Sequence, residues 1–357
     1  MTLPPAASRI PDDRVADRLA ARGQRELALW TPALAEADRD GRVSGPARLL
    51  CCGLAELAHA MARATGVADP SAATHAAAGL ALLTKLDDEF IDAPDFHGGP
   101  SADRAVLRAR TEAFLAPTLV AMHAGVAPPG APARAQLAAL VGRALMDCSA
   151  DSGTLQRLQD LIRRGWAIQV DAVATLSARP GAVPLAQVVE TTAAISGAWL
   201  AMITSTGGLP AGRPLTADEE AAFFAWGRAI QAADALADLD KDLADSFAAT
   251  LPLCIATRRD PTLLVRWSAG DAAGLRRGLV HTGADLAVLP DPAALDHLDR
   301  RLARLGDVPR LLRWIHGFLL GRYLAATPFA DRAAFAPYIS DWAAFAPSHA
   351  PEAPCSG

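Results

Sequence analysis

The feature that most constrains the fold is a series of long Ala- and Leu-rich runs cut by short clusters of Pro and Gly. Ala, Leu, Arg and Glu dominate these runs, and they are among the residues a helix tolerates best. Strict alternation of β-branched and polar residues is missing, and only residues 262–267 offer a weak strand. The breakers fall at 93–100, 128–132, 180–184, 207–214 and 290–292. Each cluster is as short as the connections of a helical bundle. No Ser/Gly linker divides the chain, and no fixed period marks it as a solenoid. The expectation is therefore an all-α, single-domain bundle over residues 13–345, with a frayed N-terminus over 1–12 and a disordered tail over 346–357.

A chain of 357 residues, 51% apolar and 20% charged, has enough material for a large core and too little charge for bulk disorder. The net charge of −5 argues against a nucleic-acid partner and against a polybasic membrane anchor. Cys51, Cys52, Cys148, Cys254 and Cys355 make no CxxC pair. With no secretory signal visible, the natural reading is reduced thiols in a cytoplasmic protein. An uncharged stretch from Thr191 to Gly212 is interrupted by Gly207, Gly208 and Pro210, so it reads as a buried helix rather than a membrane insertion.

Two segments carry the chemistry. Residues 71–94 read as a helix capped by Ser71 and ended by Pro94, uncharged through Leu83 and so buried on all faces. Asp87, Asp88, Glu89 and Asp92 then crowd its last turns. Acids at a helix C-terminus are misplaced by about 0.3–1 kcal/mol each, a penalty that a bound cation reverses and that a solvated helix end tolerates.

Residues 216–246 open with a capping box, Thr216 with Glu219. Asp234, Asp238 and Asp242 follow at i, i+4 and i+8, making one acidic stripe about 12 Å long. Apolar residues cover the opposite face, leaving most of this helix no wet face, so the stripe faces a cavity or the interior. Unpartnered interior carboxylates are prohibitively costly, and hard, oxygen-loving cations are the economical partners. A di-iron bundle needs Glu-x-x-His pairs, which neither segment has. No P-loop occurs either.

These residues resemble a family. LDDEFID is similar to the aspartate-rich motif of class I isoprenoid (terpene) synthases, matching at Asp87, Asp88 and Asp92. The stripe DALADLDKD resembles their second metal motif, with Asp234, Asp238 and Asp242 in its three positions and Lys241 in the basic one. Arg322-Tyr323 resembles the Arg-Tyr pair that contacts diphosphate in bacterial terpene cyclases. Asp in place of the usual Asn and Ser, with Lys85 nearby, also resembles the DxxxD motifs of squalene and phytoene synthases. Shortly before Gly197, where cyclases carry a diphosphate-sensing Arg, the chain reads ETTAAIS, with Glu190 and two Thr instead.

The resemblance implies a helical bundle around a central cavity and about three Mg²⁺ ions held by the six aspartates. It also implies a reaction: ionisation and cyclisation of a linear prenyl diphosphate, with a C15 chain the first to try. Arg322, Tyr323 and Lys241 would then act on the diphosphate, and Phe90, Trp199, Phe223 and Trp226 are candidates for the cavity wall. The alternatives are a prenyl-coupling enzyme of the squalene/phytoene type and, in another class, a non-catalytic helical binding protein.

Overall fold

The computed structural model describes residues 25, 28–97, 103–179, 181–245 and 247–339. The expected frayed N-terminus and disordered tail lie outside the described residues. After a helical stretch over 28–37 come α1 (Gly45–Ala64), α2 (Ser71–Ile91) and a short α3 (Pro94–His97). The middle of the chain holds α4 (Arg104–Ala124), α5 (Ala133–Asp147), α6 (Ser152–Leu176), α7 (Leu185–Thr206) and α8 (Ala217–Ala237). Short helices follow as α9 (Leu239–Ala244), α10 (Leu251–Arg259), α11 (Leu263–Ser268), α12 (Ala272–Thr282) and α13 (Ala284–Ala287). The chain closes with α14 (Pro292–Leu302), α15 (Val308–Ala326) and α16 (Arg332–Phe335).

Among the described residues there is no strand. The weak strand expected at 262–267 is instead the helix α11. Six residues are too few for an apolar run to reveal its period, and this one sits between two helix-forming neighbours.

One cluster of buried side chains runs from Trp30 to Ile339. Helix α7 is its axis and packs on α1, α2, α6 and α8, while α8 also packs on α15. Among the described residues it is the one helix long and apolar enough to cross a membrane. Val188, Ile195, Leu200 and Ile203 are buried in the core. Helices α7 and α8 approach closely at Gly197 and Gly227. A Cβ on Gly227 would lie 2.1 Å from the Gly197 nitrogen, and one on Gly197 would lie 2.6 Å from Phe224 Cα. Any side chain at either position would force the helices apart. This crossing brings the acidic half of α8 beside the middle of α7.

Local signals account for some of the element ends. Thr216 and Glu219 form the expected reciprocal capping box at the start of α8. Pro94 does not continue α2, which ends at Ile91. Ser71 is not a cap: Pro70 holds that position without a side-chain bond, and Ser71 is the first helical residue. Nearly all of α2 from Ala73 to Leu86 is buried, as its lack of charge implied.

The segment 216–246 is not one helix. It breaks at Asp238 (φ −96, ψ 17), which ends α8 and starts α9. The bonds from Asp238 N to Asp234 O and from Asp242 N to Asp238 O, both 2.8 Å, carry the stripe across the break. Ala225 is exposed, so the N-terminal half of α8 does keep a wet side; from Ala229 to Leu239 no residue is exposed.

Candidate active site

A cavity of about 120 Å³ lies between α1, α2, α6, α7, α8 and α15. Its walls are mostly apolar, with Leu54, Val173, Leu176, Ile195, Trp199, Ile230, Phe247 and Leu319 among them. Asp88 and Asp92 enter it from the end of α2, and Asp234, Asp238 and Asp242 enter from α8 and α9. Five of the six aspartates expected at the site therefore share one cavity. Lys85 and Lys241 line it with them.

The basic groups stitch the two acidic segments together. Lys85 Nζ lies 2.7 Å from Asp88 and 2.9 Å from Glu89. Lys241 Nζ lies 3.3 Å from Asp92, 3.6 Å from Asp245 and 3.7 Å from Glu89. Arg322 reaches in from α15 and pairs with Asp238 at 2.8 Å. Seven carboxylates thus meet three cations.

The excess of acid shows in the ionisation of the cluster. Burial, then the neighbouring Asp88, pushes Asp92 up to about 8. Burial, then Asp238, pushes Asp234 up to about 7. The same two causes raise Asp242 well above the usual carboxylate range. Burial would raise Asp88 too, but Lys85, Lys241 and Gln169 outweigh it and hold its carboxyl low. On Lys85, burial opposes the charge and loses to Asp88, Glu89 and Asp234, so its pKa rises well above the ordinary lysine value.

Three of the expected site residues do not line the cavity: Arg322, which meets it only through its pair with Asp238, and Asp87 and Tyr323, which point elsewhere. Asp87 turns the other way and is buried at 3% exposure, with Arg134 Nε 3.3 Å from its carboxylate. Burial pushes its pKa up to about 6, and Arg134 only partly offsets this. The Arg134 guanidinium stacks 3.4 Å from the Phe114 ring centre, joining the end of α2 to α4 and α5. Tyr323 is fully buried in α15, where its hydroxyl donates to Asp285 Oδ2 at 3.1 Å and its ring packs on Phe335. Adjacent helical residues point about 100° apart, which separates Asp87 from Asp88 and Tyr323 from Arg322.

Of the proposed aromatic wall residues, Trp199 lines the cavity. Phe223 and Trp226 are fully buried in the core, and Trp226 meets His316 edge-on. Phe90 packs on Phe114 and under Arg42.

The sequence reading passed over three polar residues at the site. Gln169 on α6 donates from Nε2 to Asp88 Oδ1 at 3.0 Å. Ser196 on α7 donates to Gln231 Oε1 at 2.6 Å, and Gln231 Nε2 reaches Asp234 Oδ2 at 3.5 Å. Only Gln231 carried a local signal, sitting three residues before Asp234 on the same face. Among the described residues no three His, Cys, Asp or Glu side chains converge as a preformed metal cage.

No family model matches the chain, and no curated protein does. Among solved structures it is similar to a decaprenyl diphosphate synthase from Rhodobacter capsulatus, at 20% identity and a TM-score of 0.48, over 86% of this chain and 99% of that one. It is also similar to a variant of cucumene synthase, at 17% identity and a TM-score of 0.46, over 84% of this chain and 94% of that one.

Proposed function

We propose that this protein is a Mg²⁺-dependent enzyme that ionises a linear prenyl diphosphate, releases diphosphate and cyclises the hydrocarbon, a carbon–oxygen lyase. One observation carries the reading: the carboxylates of two helices meet, interleaved with lysines and an arginine, at the polar part of an otherwise apolar cavity. Such a site matches a ligand with a highly charged head and a greasy tail.

The donor set fits Mg²⁺. Asp88, Asp92, Asp234, Asp238 and Asp242 offer hard oxygen ligands, and the surplus of carboxylates over cations leaves charge for divalent ions to neutralise. Mg²⁺ takes only one or two protein carboxylates and completes its shell with waters and phosphate oxygens, so carboxylates shared between two helices are enough to hold it. Bound there, it would supply charge neutralisation to the departing diphosphate.

The chain's own residues do the rest. Lys85, Lys241 and Arg322 are placed to exchange carboxylate partners for diphosphate oxygens, stabilising the charge that develops as the allylic C–O bond breaks. Leu54, Val173, Leu176, Ile195, Ile230 and Leu319 exclude water from the carbocation, and the Trp199 ring can offer it a π face.

A prenyl-coupling reaction is the second reading. With Asp87 turned to Arg134, the acids facing the cavity are Asp88-x-x-x-Asp92 and Asp234-x-x-x-Asp238, the DxxxD spacing of squalene- and phytoene-type synthases. Incubation with C10, C15, C20 and C25 diphosphates and Mg²⁺, with products weighed by mass spectrometry, separates the readings. A hydrocarbon built from one substrate chain supports cyclisation, and one built from two supports coupling. No product from any chain length leaves a helical binding protein.

A further inference from the structure

Asp240 lies in the middle of the second acidic segment, yet it takes no part in the cavity. Its side chain is 63% exposed, and its carboxylate sits 3.0 Å from Arg276 on α12. Arg276 itself is buried, at 5% exposure, and its other terminal nitrogen donates to Thr327 Oγ1 at 3.4 Å. A buried guanidinium is costly unless it is paired, so Arg276 favours the arrangement that brings Asp240 to it.

The element that carries Asp240 there is α9. That helix has six residues, too few to be stable alone, and it starts where α8 breaks. It packs on α12, the helix that carries Arg276. Asp238 and Asp242 lie two residues either side of Asp240, so they point to nearly the opposite face. Arg276 grips the back of α9 while Asp238, Lys241 and Asp242 face the cavity from its front.

We propose that Arg276 and Asp240 form a positioning clamp that pre-orders α9, so that Asp238, Lys241 and Asp242 are presented together to the incoming metal–diphosphate head. The proposal rests on the reading of the cavity given above. Without the clamp, α9 must be ordered at the moment of binding, and that cost appears as weaker binding.

The test compares wild type with Arg276→Met, Asp240→Glu and the double change Arg276→Met/Asp240→Asn. Arg276→Met keeps most of the buried volume and leaves Asp240 in water, where an unpaired carboxylate costs little. Mg²⁺ is titrated against a fixed concentration of inorganic diphosphate, and melting temperature is followed. Amide exchange of residues 241–245 is measured without ligand.

We expect the Mg²⁺ midpoint to rise about tenfold in Arg276→Met and in the double variant, with Asp240→Glu close to wild type. The α9 amides should exchange faster in the first two while α7 is unchanged. A wild-type midpoint and wild-type α9 exchange in Arg276→Met would overturn the clamp. Exchange rising equally in α7 and α9 with an unmoved midpoint would also overturn it, since that marks a merely structural role. If wild type itself shows no Mg²⁺–diphosphate shift, the site reading fails instead, and the clamp's purpose with it.

Discussion

The Arg322 guanidinium lies 2.8 Å from Asp238 Oδ1, tying the last long helix to the point where α8 gives way to α9. Because Asp238 is also a proposed metal ligand, a metal bound there would compete with this ion pair for the same carboxylate and would leave Arg322 available to the diphosphate.

Replacing Arg322 by Lys should therefore hurt turnover more than charge conservation suggests. Lysine keeps the charge but loses the planar fork that makes paired bonds to phosphate oxygens. We expect kcat/KM to fall about a hundredfold, equivalent to roughly 2–3 kcal/mol of transition-state stabilisation. A loss under threefold would assign Arg322 to holding the helix end alone.

Its neighbour should behave in the opposite way. Tyr323→Phe removes the donor to buried Asp285, which should lower stability by about 1–3 kcal/mol. Steady-state kinetics of the folded variant should remain within about twofold of wild type, an effect below 0.5 kcal/mol. A large kinetic defect with unchanged denaturation would put the Tyr323 hydroxyl at the substrate after all.

The split of Asp87 from Asp88 makes a similar contrast. Asp88→Ala should abolish diphosphate release while sparing the fold. Asp87→Asn should act mainly on stability, because it leaves the half-buried Arg134 without its counter-charge, a change worth about 1–3 kcal/mol. Urea denaturation and turnover of both variants at one temperature decide the matter; equal Mg²⁺ dependence of the two defects would mean that both aspartates ligate metal.

His316 supplies a pH dependence away from the site. It is fully buried between Trp226 and Tyr338, and burial, then Arg313, lowers its pKa to about 4. Between pH 4 and the ordinary value of about 6.5, the unfolded chain binds a proton that the folded chain refuses. The associated stability is thus fully present above about pH 6.5 and is lost as pH falls toward 4, up to about 3 kcal/mol. Stability of wild type minus His316→Gln, measured by denaturation across that range, should show this slope. A difference that does not vary with pH would contradict it.

Much of this site was legible because carboxylates at i and i+4 on apolar helices leave few explanations. Asp88 with Asp92 and Asp234 with Asp238 and Asp242 carried that signal, and Lys241 lay within the same pattern. What could not be read was side-chain direction between neighbours. Asp87 and Asp88 differ by one helical step, and only the i+4 partner Asp92 marks which of them faces the cavity. Gln169 and Arg276 escaped notice because their partners are 81 residues away in Asp88 and on a separate helix in Asp240. Such long-range pairs leave no local trace. The break at Asp238 was hidden as well, since α8 and α9 share one helical periodicity and no Gly or Pro separates them.

The central claim is tested most directly by the release of inorganic diphosphate from a C15 allylic diphosphate, followed with Mg²⁺ and with excess chelator, in wild type and in Asp238→Ala. Release that requires Mg²⁺ and disappears in Asp238→Ala, while the variant keeps a wild-type or higher melting temperature, is the predicted result. Release that persists in chelator, or survives in Asp238→Ala within about tenfold of wild type, a difference of only about 1.4 kcal/mol, would contradict it.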